Sequence, residues 1–244
     1  RATVFVQNAA STPHLYAALW DESQWDDGTG SPYADAKDLG AISTKDYRCF
    51  DAVFEDVSGR LVVVAATASN TFTYWIWDAG TWSSGSTYSF TTAGMNTINW
   101  IKLAAKPAAN EITLVAAGTS GEANALVWNG SAWGNENNLT ASSNLFTYNQ
   151  ESIGVDYMRA GAQMGKAVVF YASNALYAKV WNGSSWGGAD YSVSTDSDIR
   201  WIRPKADPNS DKIAVLYLNS RNGLWLYVRK GTSWFTSAGS FTFS

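Results

Sequence analysis

The sequence predicts an all-β protein: a five-bladed β-propeller of four-stranded antiparallel blades, the N-terminal blade lacking its first strand. Three observations predict it. A hairpin phrase with paired tryptophans recurs five times, a β-rich run recurs ahead of it, and no stretch of the 244 residues carries sustained helical periodicity. The phrase reads "LWDESQW" up to Trp25, "IWDAGTW" up to Trp82, "VWNGSAW" up to Trp133, "VWNGSSW" up to Trp186 and "VRKGTSW" up to Trp234, where Arg229 replaces the first tryptophan. The second tryptophans stand 57, 51, 53 and 48 residues apart, a period suited to propeller blades. A two-sheet sandwich would not require one unit to recur at this spacing.

Each unit breaks into four strands. Strand a is centred on aromatics, as in "YRCFDAVFED", "INWIKLAAKP", "GVDYMRAGAQ" and "IRWIRPKADP"; turn formers such as "KPAAN" and "DPNSD" then lead into strand b, as in "GRLVVVAAT" and "NEITLVAAG". Strand c runs into the first tryptophan and strand d leaves the second. The approximate blades are 1–46 (incomplete), 47–97, 98–153, 154–198 and 199–244 of one domain. The opening "RATVFVQ" aligns with strand b, so the first unit has no strand a and nineteen strands are expected. An incomplete blade exposes an edge able to accept another strand. Either the polypeptide extends beyond these residues, or a homo-oligomeric or assembly partner fills the gap.

Alternation along strand c predicts a sealed aliphatic face at Leu19, Ile76, Val127, Val180 and Val228. The opposite face, which accepts Lys179 and Arg229 beside the tryptophans, is expected to be partly open. Tight turns at Gly80, Gly130, Gly183 and Gly231 join c to d. Large rings at these corners fill the wedge between blades or face a ligand. The ligand-facing candidates are Trp20, Asp21, Trp25, Trp77, Asp78, Trp82, Trp128, Asn129, Trp133, Trp181, Asn182 and Trp186. On strand a, Trp100 with Lys102, Tyr157 with Arg159 and Trp201 with Arg203 each place an aromatic and a base on one strand face. If strand a is innermost, Lys102, Arg159 and Arg203 form a candidate channel site for a small anion or acidic sugar; the plainer alternative is stacking of each base on its aromatic.

Composition narrows the classes. A formal charge of −4 with scattered Lys and Arg offers no basic field for nucleic acid. The longest apolar run, "LVVVAATA", is far below the ~20 residues a membrane helix needs. Cys49 is the one cysteine, which excludes an intrachain disulfide and reads as a small buried hydrophobe. Richness in Ser, Thr, Asn, Gly and Trp suggests an extracellular or cell-surface protein. His14, the one histidine, is expected in a b to c loop rather than as a catalytic base. "WDAGTW" is one residue too short to be a sialidase Asp-box. Asp207, Asn209 and Asp211 lack the rest of a calcium loop, and Asp26 with Asp27 are equally explained by a solvated loop. No cofactor, metal or catalytic residue is assigned.

"WDAGTWSSG" and "VWNGSSWGG" resemble the hairpins that close each blade of propeller lectins, among them fungal and bacterial fucose-binding lectins and insect-pathogen lectins. The resemblance spans the layout of the whole chain and implies a propeller that binds sugar between blades. In that family the sugar is gripped by an Arg on the strand before the hairpin, a Glu shortly before the first tryptophan, and aromatic rings. Here Ala17, Tyr74, Ala125, Ala178 and Leu226 stand three places before the first tryptophan position, and strand b has no interior Arg, so the gripping ion pair is missing. The expected function is non-enzymatic, multivalent recognition of a glycan or cell-surface polymer. The alternative is a structural subunit of an extracellular assembly completed by strands passed between subunits.

Overall fold

The computed structural model describes residues 2–8, 10–29, 36–92, 95–140, 150–172, 175–187, 191–195, 197–231, 233–235 and 240–242. They form five antiparallel sheets in chain order. The first holds β1 (Ala2–Gln7), β2 (His14–Trp20), β3 (Trp25–Asp26) and β4 (Lys37–Ala41). The second holds β5 (Phe50–Phe54), β6 (Leu61–Ala68), β7 (Thr71–Asp78), β8 (Thr81–Trp82) and β9 (Ser86–Ser89). The third holds β10 (Ile98–Ala105), β11 (Ile112–Gly118), β12 (Ala123–Trp128) and β13 (Trp133–Asn138). The fourth holds β14 (Ile153–Tyr157), β15 (Ala167–Ala172), β16 (Ala175–Trp181) and β17 (Tyr191–Ser194). The fifth holds β18 (Ile199–Ala206), β19 (Lys212–Asn219), β20 (Gly223–Lys230), β21 (Ser233–Phe235) and β22 (Ser240–Thr242).

In three sheets the outer strand is broken in two, with both halves on the same partner: β3 and β4 on β2, β8 and β9 on β7, β21 and β22 on β20. The twenty-two segments are therefore nineteen strand positions among the described residues, with the inner one missing from the first sheet. The only helical turn described is a 3₁₀ turn at Gly161–Gln163. The inner strands lie side by side in the order β5, β10, β14, β18, so each sheet presents its face to the next.

That stacking explains the sequence of the second strands. A strand covered on both faces reads as a continuous apolar run rather than an alternation. Leu61 to Ala66, all of β11 and all of β15 are buried. The buried clusters lie between successive sheets: one among the first three, one between the third and fourth, one between the fourth and fifth. Cys49 is buried in the first of these, and burial raises its thiol pKa.

Three expectations need correction. The open face of strand c was expected to be the tryptophan face, but Trp77, Trp128 and Trp181 are 4%, 1% and 2% exposed and Arg229 is 2% exposed. Ile76, Val180 and Val228, on the supposedly sealed face, are half-buried. The indoles have more area to remove from water than the aliphatics, so they take the interface between sheets. The alignment of the fourth strand a was also displaced. Asp51 pairs with Val64, Lys102 with Val115, Gly154 with Phe170 and Arg203 with Leu216, which makes Gly154 the counterpart of Lys102 and Arg203. Tyr157, opposite Ala167, matches Phe54 and Ala105 at the strand end, and Arg159 lies beyond the strand. His14 opens β2 rather than lying in a loop, and its Nδ1 sits 2.9 Å from the Asp38 carboxylate.

The hairpins between c and d explain the recurring glycine. Gly80, Gly130, Gly183 and Gly231 all have positive φ, between 56° and 99°. The place of Gly130, Gly183 and Gly231 is taken in the second hairpin by Ala79 at φ 44°, one residue before Gly80, and in the first by Glu22, held at φ 90°, where a Cβ is strained. Glu22→Gly should therefore stabilise the fold by up to about 1 kcal/mol despite the added freedom of the unfolded chain. Chemical denaturation midpoints of the two proteins check this.

Candidate functional site

The hairpins and the turns between a and b lie at the same end of the sheets, and there each sheet is tied to the one before it. Glu55, at the end of β5, is buried. Its carboxylate accepts the Trp128 indole N–H at 2.6 Å, two bonds from Arg60 at 2.7 and 2.9 Å, and the Ser58 hydroxyl. Arg60 reaches on to the Gly130 carbonyl at 2.7 Å, so one ion pair of the second sheet holds the hairpin of the third. One sheet later the pair recurs with its charges exchanged. Lys106 follows strand a and Glu111 precedes strand b, 3.4 Å apart, and Glu111 accepts the Trp181 indole N–H at 3.2 Å and the Tyr157 hydroxyl at 3.1 Å. The fourth sheet has Met158 and Lys166 at these places, without a carboxylate, and the fifth has Arg229 where the others have the first tryptophan. The acceptor and the indole disappear together.

The second tryptophans follow a parallel rule. Trp82 donates to the Asp27 carbonyl and Trp186 to the Asn135 carbonyl, both at 2.6 Å, each two residues past the second tryptophan of the preceding hairpin. Trp77, which meets a first sheet with no strand a, donates instead to the Gly28 carbonyl at 2.6 Å. A Cβ on Gly28 would stand 2.7 Å from that indole nitrogen, which explains glycine there.

Most polar members of the candidate set are turn-holders. The side-chain Oδ1 atoms of Asp21, Asn129 and Asn182 each accept a hydroxyl and two backbone N–H groups from the next residues of their own hairpins, at 2.7–2.9 Å. For Asp21, the bond from the Gln24 backbone is the largest cause of a pKa below the ordinary carboxylate value. Asp78 differs: it is exposed, and its carboxylate has no partner among the described residues. It lines a cavity of about 440 Å³ with Phe54, Ser58, Gly59, Trp77 and Ala79. Of the rings, Trp25 is 46% exposed and packs 5.6 Å from Trp20, while Trp20, Trp82 and Trp186 are half-buried. Trp77, Trp128, Trp133 and Trp181 are buried between sheets, so a role as open stacking platforms is corrected to packing for these four.

The inner strands enclose a second cavity of about 480 Å³, and Lys102, Arg159 and Arg203 are among the residues that line it. They do not form an open basic ring. Lys102 is ion-paired with Glu151, and burial lowers its pKa. Arg159 and Lys205 lie 4.0 and 3.6 Å from Asp156. Arg203 sits 5.4 Å from the Trp201 ring centroid, in the stacking that the plainer alternative expects. Asp51 and Asp156 also tie sheets together, accepting the Leu103 and Ala206 backbone N–H groups at 2.9 and 2.8 Å. Among the described residues no cluster of three or more His, Cys, Asp or Glu side chains could hold a metal ion.

Glu136 was missed from the sequence, although an acid in a d strand and the Thr91–Thr92 pair ahead of the third blade were visible. It accepts the backbone and hydroxyl groups of Thr91 and Thr92, bridging the second and third sheets. Burial alone would raise its pKa, but the bonds from Thr92 and Thr91 outweigh burial and hold it below its ordinary value of 4.5. A depressed carboxylate contributes stability that is present above the unfolded value and is lost as pH falls through the folded one. Thermal melts should therefore show the parent chain losing stability below pH 4.5 more steeply than Glu136→Gln, the two curves converging at the acid end.

No protein-family model and no curated protein matches the chain. Solved structures do. The chain is similar to a mutant of the Aleuria aurantia lectin in complex with Fucα1-6GlcNAc, at 15% identity and TM-score 0.54, over 98% of this chain and 77% of that one. It is similar to a lectin from Burkholderia pseudomallei, at 13% identity and TM-score 0.63, over 95% and 64%. A mutant NanB sialidase from Streptococcus pneumoniae also matches, at 13% identity and TM-score 0.55, over 85% and 32%. The Aleuria lectin is described as a six-bladed β-propeller with a novel fucose recognition mode. The likeness is one of fold: this chain is a β-propeller similar in architecture to those of these lectins.

Proposed function

We propose that the chain is a five-bladed propeller acting as a non-enzymatic glycan-binding module at the cell surface or outside the cell. The observation that carries this reading is the 440 Å³ cavity beneath the second hairpin. Its walls include half-buried Phe54, against which the C–H face of a sugar packs, and its rim carries the unspent acceptors of Asp78 for hydroxyls. Exposed Trp25 beside Trp20 offers a second stacking surface at the first hairpin. Weak sites repeated on one rigid body gain avidity on a clustered glycan surface. The five hairpins support the blade number, and the lectin fold supports the ligand class.

A second reading rests on the central cavity, where exposed Arg203, backed by Trp201, faces a space the size of a small acidic sugar. A glycan array followed by titration calorimetry separates the two. The first reading expects neutral glycans to bind and Asp78→Ala to weaken them by about tenfold or more, the worth of a charged hydrogen bond. In that case Arg203→Ala leaves the affinity unchanged. Binding of acidic sugars alone, abolished by Arg203→Ala, favours the central cavity. No binding across neutral and acidic classes would overturn both.

A further inference from the structure

Three places in the chain read Asn-X-Ser/Thr with X other than proline, the tripeptide at which N-linked glycans attach: Asn129-Gly130-Ser131, Asn138-Leu139-Thr140 and Asn182-Gly183-Ser184. The first and last occupy the same place in successive blades, the tip of the hairpin between c and d, where Asn129, Ser131, Asn182 and Ser184 are all exposed. At that tip the two ends of the asparagine side chain have different duties. The oxygen is consumed by the turn: Asn129 Oδ1 accepts the Ser131 hydroxyl at 2.8 Å and the backbone N–H groups of Ser131 and Ala132 at 2.9 Å, and Asn182 Oδ1 accepts the matching three at 2.9 Å. An aspartate does this equally well, since Asp21 at the same place in the first hairpin takes the Ser23 hydroxyl and the Ser23 and Gln24 N–H groups at 2.7–2.8 Å. The turn therefore asks only for the oxygen, and the amide nitrogen is left over. Asn129 Nδ2 has no partner among the described residues, and Asn182 Nδ2 spends one of its two hydrogens on the exposed Ser185 hydroxyl at 3.2 Å. The middle tripeptide differs. Asn138 is half-buried in β13, Leu139 and Thr140 are buried, and the Thr140 hydroxyl already accepts the Ala123 N–H at 3.0 Å.

We propose that Asn129 and Asn182 are acceptor sites for N-linked glycans, added as the chain passes through a eukaryotic secretory pathway. The donor's chemical class is an oligosaccharide carried on a polyprenyl pyrophosphate. Nδ2 attacks the anomeric carbon of that sugar: a C–N bond forms, the anomeric C–O bond to phosphate breaks, the pyrophosphate leaves with the electron pair, and one amide proton passes to a base of the transferase. Nothing is oxidised or reduced. Nδ2 keeps its second hydrogen and Oδ1 its three bonds, so the hairpin survives the modification. The glycans stand at the ends of the third and fourth sheets, on hairpins other than the one that carries Asp78. The inference rests on the location outside the cell in the reading above and not on its ligand.

The test sends the full chain into the endoplasmic reticulum of a eukaryotic cell behind a supplied signal peptide and recovers it from lumen and medium. Digestion with peptide N-glycosidase in heavy-oxygen water converts each glycosylated asparagine to a labelled aspartate. Mass spectrometry should find the label at Asn129 and Asn182, and the intact chain should lose two glycan masses. Asn129→Asp and Asn182→Asp should each remove one glycan while the Tm of the deglycosylated chain stays that of the parent, because aspartate holds the turn as Asp21 does. Ser131→Ala and Ser184→Ala remove the hydroxyl that completes the tripeptide and should give the same losses with the asparagine still present. Either asparagine left bare overturns the proposal. Equal labelling at Asn138 would show that the tripeptide alone is read and not the hairpin tip, and overturns it as well. Calorimetry against free glycans is a separate measurement: no binding there leaves these sites standing, and bare asparagines leave the glycan-binding reading standing.

Discussion

The second, third and fourth sheets of this protein are fastened through one recurring requirement: indole N–H groups of their hairpin tryptophans, set at the interface with the preceding sheet, find acceptors on that sheet. A buried donor left alone costs about 1–3 kcal/mol, so each of these bonds helps to place its ring, whereas buried Trp133 has no acceptor for its indole N–H among the described residues and is placed by packing. Glu55 meets the need for Trp128 and Glu111 for Trp181, while backbone carbonyls serve Trp77, Trp82 and Trp186. The neighbouring base in each turn, Arg60 or Lys106, offsets the burial of the acid. Radial order follows, because each sheet's acceptor sits on its leading side and each sheet's donor on its trailing side.

The same requirement divides the tryptophans by role. Rings whose N–H is consumed and whose faces are covered belong to the framework, and the residues left for a ligand are those the framework does not use. Asp78, in a hairpin closed tightly enough to dispense with a side-chain cap, is one. Trp25 is another: on the outer strand of the first sheet it stays partly in solvent. The central cavity shows the converse. Its cations were expected to gather an anion, yet Glu151 and Asp156 answer most of their charge, because inner strands too must be fastened to their neighbours.

Much of the fold was legible in the chain. The spacing of Trp25, Trp82, Trp133, Trp186 and Trp234 announced the repeat, and "RATVFVQ" at a strand b position announced the missing inner strand. What misled was local alternation. On strand c it marked two faces but not which was covered, since in a stack both are and ring size decides. The fourth strand a was misaligned because Tyr157 and Arg159 imitate Trp100 and Lys102 in spacing, whereas hydrogen-bond register places Gly154 there. The carboxylate acceptors were hidden by distance, Glu55 and Trp128 lying 73 residues apart. The exchanged charges of Glu55 with Arg60 and Lys106 with Glu111, at equal places about the turn, were the available signal.

The central claim is that carboxylate and indole act as one coupled unit between sheets. A double-mutant cycle on Glu55→Gln and Trp128→Phe, read by equilibrium denaturation, tests it most directly. Each single change should destabilise the protein, and the pair should lose less than the sum, leaving a coupling of about 1–3 kcal/mol as expected for a hydrogen bond to a charged group. Additivity within about 0.5 kcal/mol would show two independent packing residues and contradict the account.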